Sequence, residues 1–111
     1  MTLDQTLDAL AALRGEIADA NAALANRELD GRLLRIALEE QLRCGDAEHV
    51  ALNKTDAEKA AKAHPEYIAF ERETIRLSRG RDDLLARAEV KRFAIDRDIA
   101  LLAFTGPRVG P

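Results

Sequence analysis

LDQTLDALAALRGEIADANAALANRELDGRLLRIAL, residues Leu3 to Leu38, decides how this chain folds. Every seventh position from Leu3 runs Leu3, Leu10, Ile17, Leu24, Gly31, Leu38, so five of six are apolar. Leu7, Leu13, Ala20 and Leu34 lie close to the same line. A seven-residue apolar repeat over five heptads is the pattern of a helix that packs along its length against another helix. Glu28–Arg32 and Arg35–Glu39–Arg43 sit four apart on the polar side, where such pairs support a helix. Gly15 and Asp30-Gly31 weaken the helix locally. Because the apolar phase survives across Asp30-Gly31, it is read as a kink within one helix over about 3–43.

Cys44-Gly45-Asp46 is the first stop: Gly45 suits the left-handed position after a helix, and Asp46 suits a new cap. A connector over 44–55 follows. Thr55 and Glu58 fit a capping box, which predicts a second helix over about 56–104 with a kink or restart at His64-Pro65. The tail, 106–111, holds two of the three prolines and is read as flexible. In the second helix Phe70, Leu77 and Leu84 are seven apart, as are Ala88, Ile95 and Leu102, with a four-residue stutter between the sets. A second apolar line runs through Ile68, Ile75, Phe93 and Phe104, more than a third of a turn away. One partner helix covers one stripe, so two stripes call for two partners. The expected fold is therefore all-α: one domain over 1–105, a long antiparallel two-helix hairpin, coiled-coil-like and oligomerising through Ile68, Ile75, Phe93 and Phe104.

Composition agrees. Apolar residues are 47% and charged residues 33%, with no Trp, three Phe and one Tyr, the make-up of long amphipathic helices. The net charge of −3 is unevenly spread: residues 1–53 hold five basic and ten acidic side chains, residues 54–111 twelve and ten. Cys44 is the only cysteine, which excludes an internal disulfide. Met1 is followed by Thr-Leu-Asp-Gln rather than a signal sequence, and no apolar run approaches the roughly 18 residues that span a bilayer. A cytoplasmic protein without membrane attachment is expected.

Cys44, His49 and His64 match no usual zinc spacing, and the adjacent acids Glu39-Glu40 and Asp82-Asp83 point about 100° apart on a helix. The expectation is no metal, no cofactor and no enzymatic activity. The arginines are more informative. Arg72, Arg76, Arg79, Arg87 and Arg97 fall within an arc of roughly 80°. Such a strip fits solvated or internally paired helix surface, a phosphate-binding strip, or a protein interface. Tyr67 and Phe70 read as core, with base stacking as the alternative.

A leucine-heptad helix, a short connector, then LNKTDAEKAAKAHPEYIAFER (Leu52–Arg72) opening an Arg-rich helix resembles small phage proteins of the UvsY type. The resemblance covers residues 3–104 as an arrangement. It implies a helical, oligomeric recombination mediator that binds single-stranded DNA and helps load a recombinase, with Lys54, Lys59, Lys62, Arg72, Arg76 and Arg79 as phosphate contacts. The function expected on that basis is a non-enzymatic phage-type recombination or replication accessory protein in the host cytoplasm. The alternative is a structural or protein-binding coiled coil, a virion or assembly component or a small inhibitor, with no nucleic acid involved.

Overall fold

The computed structural model describes residues 2–45 and 50–105. Among them the chain is all α, a helical hairpin of α1 (Leu3–Cys44), α2 (Lys54–Ala63) and α3 (Pro65–Thr105). Asp46, His49 and the tail 106–111 lie outside the described residues. The helices form two compact units. The first joins α1 up to Asn21 to α3 from Gly80 onward; the second is Ala22–Arg79. In both, α1 is matched with α3 in antiparallel order.

Residue chemistry sets the ends of α1. Thr2 and Gln5 close a reciprocal capping box, Thr2 N–H donating to Gln5 Oε1 (2.9 Å) and Gln5 N–H to Thr2 Oγ1 (3.2 Å). Thr6, buried in the first unit, donates its hydroxyl to Thr2 O at 3.0 Å, so no polar atom is stranded there. At the other end Gly45 takes φ 68°, the left-handed geometry that glycine adopts without a Cβ clash, and its N–H returns to Gln41 O. Leu52 N–H donates to Leu42 O at 2.9 Å, so the returning connector satisfies a further α1 carbonyl. Asp30-Gly31 does not interrupt α1, which is helical throughout.

The first unit is held by the predicted seam. Leu10 and Leu13 of α1 and Ile95 of α3 are buried, with Ile17, Leu84 and Ala88 half-buried. The seam stops sooner than the heptads suggest. Leu102, expected to continue it, is exposed, and beyond Ile95 only Asp98 is half-buried among the side chains described.

The second unit has its own buried set. Leu38 is buried, and Ala57 and Ala61 on α2 are 0% exposed. Small side chains four apart form one face of α2 and let it approach its neighbours closely. Gly31, the apolar seam's single gap, is where Phe70 fits: a Cβ at Gly31 would stand 3.0 Å from Phe70 Cε1. Arg27 covers the same ring, its guanidinium carbon 3.9 Å from the ring centroid. Its Nε donates to Thr74 Oγ1 and its Nη2 to Phe70 O, both at 2.9 Å.

One expectation about the second arm needs correction. Its helix starts at Lys54 rather than near Asp56, because Asn53, in extended geometry, caps it by accepting from Asp56 N–H at 2.8 Å. Thr55 is left inside the first turn; Asn is at least as good a cap as Thr and stands where the chain leaves the connector. Of the kink or restart expected at His64-Pro65, the restart is what forms, so the arm is two helices. His64 adopts ψ 135°, because Pro65 disfavours α geometry in the residue before it, and α3 restarts at Pro65. His64 still serves the restart, its Nδ1 accepting from Glu66 N–H at 3.1 Å and its carbonyl from Ile68 N–H.

Candidate interaction surfaces

In the first unit α3 buries one face against α1 and leaves the opposite face apolar. Val90, Phe93, Arg97, Leu101 and Phe104 recur at steps of three and four, about half a turn from Ala88 and Ile95. Phe93 is 67% exposed, Phe104 70% and Val90 66%. Val90 also lines a groove of about 470 Å³ between Ala9, Ala12, Leu13 and Glu16 of α1 and Arg87 and Lys91 of α3. The apolar line thus reaches from the outer face to the edge of the α1 contact.

The second unit has its own stripe, on α1. Leu29, Leu33 and Ile36 are exposed, four and three apart, about half a turn from Leu24, Gly31 and Leu38. Sequence reading passed over this line. The spacing was visible, but it is short and lies on a helix whose longer seam already accounted for its leucines.

Of the four residues expected to form one oligomer interface, Ile75 is exposed and Ile68 half-buried in the second unit, while Phe93 and Phe104 belong to the first. The basic residues Lys54, Lys59, Lys62, Arg72, Arg76 and Arg79 are all exposed and all lie in the second unit. They are not equivalent. Arg76 is engaged by Glu73, Nε to Oε2 at 2.9 Å. That hydrogen bond, reinforced by the Arg76 and Arg27 charges, holds the Glu73 carboxyl below its ordinary range, and the same bond together with the Glu73 charge raises Arg76. Arg72 and Arg79 have no ion pair among the described residues. Arg87 reaches Asp83 at only 3.9 Å, and Arg97 its neighbour Asp98 at 3.5 Å. Cys44 is exposed at the end of α1.

Tyr67 is half-buried, and its phenol is pushed above the ordinary 10.0 by a hydrogen bond to Glu71, then by burial and the Glu71 charge. A raised acid pKa means the neutral phenol is favoured by folding, so this contribution is full below pH 10 and is lost as pH rises through the folded value. Tyr67 is the only tyrosine and there is no Trp, so ultraviolet titration of phenolate reads it alone. The expected midpoint lies above 10 and falls in Glu71→Gln; an unchanged midpoint in that variant would count against the Tyr67–Glu71 bond.

Among the described residues no helix is long and apolar enough to cross a membrane. No family of known proteins matches the sequence, and no curated protein or solved structure is significantly similar to it.

Proposed function

We propose that this protein is a non-enzymatic interaction module that works by docking its outer helix faces onto helices of a protein partner. The observation that carries this reading is the α3 face of the first unit. Val90, Phe93, Leu101 and Phe104 are more than half exposed there, while the contact with α1 buries Leu10, Leu13 and Ile95. Contiguous exposed apolar side chains at helical spacing cost solubility unless something covers them, and an amphipathic face read at steps of three and four is how helices dock in grooves. The test is a benzophenone side chain at position 93, photolysed in the protein's native cells. Protein adducts are the expected result. Their absence would sink the reading.

The second reading is a phage-type recombination accessory protein that binds single-stranded DNA with a recombinase as partner. Exposed Arg72 and Arg79, without ion pairs among the described residues, and Lys54, Lys59 and Lys62 exposed in the same unit favour it. On this reading a fluorescent oligonucleotide binds at about 50 mM salt and loses affinity steeply by about 200 mM. Arg72→Ala with Arg79→Ala weakens it more than Arg76→Ala, since Arg76 already has Glu73. Absence of binding at the lower salt would remove this reading. Both readings are of a cytoplasmic protein.

A further inference from the structure

The seam between α1 and α3 is nearly blind to its own register. Leu24 and Leu38 of α1, like Leu77 and Leu84 of α3, recur at multiples of seven residues. Sliding α3 by one heptad therefore sets leucine on leucine again and keeps the same faces inward, so burial of apolar area does not choose among registers. A feature that occurs once along each helix has to choose. The second unit holds two such features, one turn apart. Gly31, the only gap in the α1 line, stands against Phe70, the only aromatic ring in the α3 line, with a Cβ at Gly31 3.0 Å from the ring. Arg27 donates to Thr74 Oγ1 and to the Phe70 carbonyl, both at 2.9 Å, in the same antiparallel register.

We propose that Gly31, Phe70 and Arg27 form a register lock, which selects one hairpin among the heptad-related alternatives. Both fits break in either neighbouring register. Phe70 would meet Leu24 or Leu38, where there is a side chain in place of the gap, and Gly31 would face Ala63 or Leu77, each smaller than the ring. Arg27 would come level with Tyr67 or Arg81 in place of Thr74. Thr74 would come level with Ala20 or Leu34, neither of which donates a side-chain hydrogen bond. A single polar or misfitting position inside an otherwise uniform apolar seam is a known way for paired helices to fix register. The lock does not depend on what docks on the outer faces.

The test measures a distance along the hairpin in the full-length chain. Cys44, the only cysteine, is replaced by serine, and nitroxide labels are placed through Glu40→Cys on α1 and Arg72→Cys on α3, both exposed and both in the second unit. Double electron–electron resonance, with labelled protein diluted into unlabelled, reads the distance within one chain. The otherwise native chain should give one distance. Adding Arg27→Gln, Gly31→Leu and Phe70→Leu makes the seam uniform, and a second distance of comparable weight should appear, displaced by up to about 10 Å, the rise of seven helical residues. Adding instead Leu24→Gly, Arg27→Gln and Gly31→Leu moves the gap by one heptad, and the distance should lengthen by about 10 Å as Phe70 follows it. Circular dichroism checks that each variant keeps the native helix content. The uniform variant roughly conserves volume, so it decides the matter alone if loss of Leu24 unfolds the other. A folded uniform variant with only the native distance would mean that the connector or α2 fixes the register, and the proposal would fall. Two distances in the native chain would overturn it as well, since nothing would then be locked.

Discussion

Gly31→Leu is expected to destabilise the protein by about 1–3 kcal/mol, although it completes the heptad repeat. Taken alone, the repeat predicts the opposite. Leucine fills the one apolar gap between Leu24 and Leu38 and replaces a residue that costs a helix roughly 1 kcal/mol relative to alanine. The geometry reverses the sign. The first carbon of any side chain at 31 would meet the Phe70 ring at 3.0 Å, with Cδ1 and Cζ of the ring at 3.6 and 3.7 Å. The ring retreats only by giving up its stacking with the Arg27 guanidinium, which lies over it at 3.9 Å. Three further carbons therefore displace the aromatic ring that the missing side chain admits.

Gly15 and Gly80 supply the control. Both are helical, and a Cβ at either meets nothing within 4 Å. There the propensity term stands alone, and alanine should stabilise by about 0.5–1 kcal/mol. Urea unfolding of the three variants, at one fixed protein concentration so that any association would weigh on all of them alike, separates the cases. Gly31→Leu should lower the midpoint without changing the slope, and Gly15→Ala should raise it. A Gly31→Leu protein as stable as Gly15→Ala would show that Phe70 does not occupy the gap.

The same pocket marks what was legible in the sequence. The seam through Leu10, Leu38 and Ile95 could be read because a buried helix face imposes its period on neighbouring residues of one strand of text. The Gly31–Phe70 fit could not, since its halves lie in different helices and are brought together only by the hairpin's register. Arg27 was invisible for the same reason. In sequence it is one more polar residue beside the seam, without the regular partners that marked Glu28–Arg32. The start of α2 was misjudged between two caps of similar quality, Asn53 and Thr55, a choice settled by where the connector turns back at Leu52. The six basic residues named from the sequence are all exposed. Their differences depend on neighbours: Arg76 leans on Glu73 while Arg72 and Arg79 do not.

Arg27→Met should cost about 2 kcal/mol, well above the 0–1 kcal/mol of an ordinary surface arginine contact. Methionine keeps an unbranched apolar stem of similar reach, so the loss is confined to the guanidinium. That group does three things at once. It lies over the Phe70 ring, donates from Nε to Thr74 Oγ1, and donates from Nη2 to the Phe70 carbonyl. Thr74 is not orphaned by its removal, because its hydroxyl already donates to Phe70 O at 3.0 Å. The cost is thus the lost charge-assisted bonds and stacking, without a stranded polar group added. Lysine should not substitute: a single ammonium lacks the planar fork that donates in two directions while lying flat on a ring. A double-mutant cycle of Arg27→Met with Phe70→Leu isolates the stacking term, with an expected coupling of about 1 kcal/mol. Arg27→Lys as stable as wild type, or a coupling indistinguishable from zero, would reduce Arg27 to a solvated side chain. The buried set of the second unit would then be Leu38, Ala57 and Ala61, without a fixed Arg27 beside it.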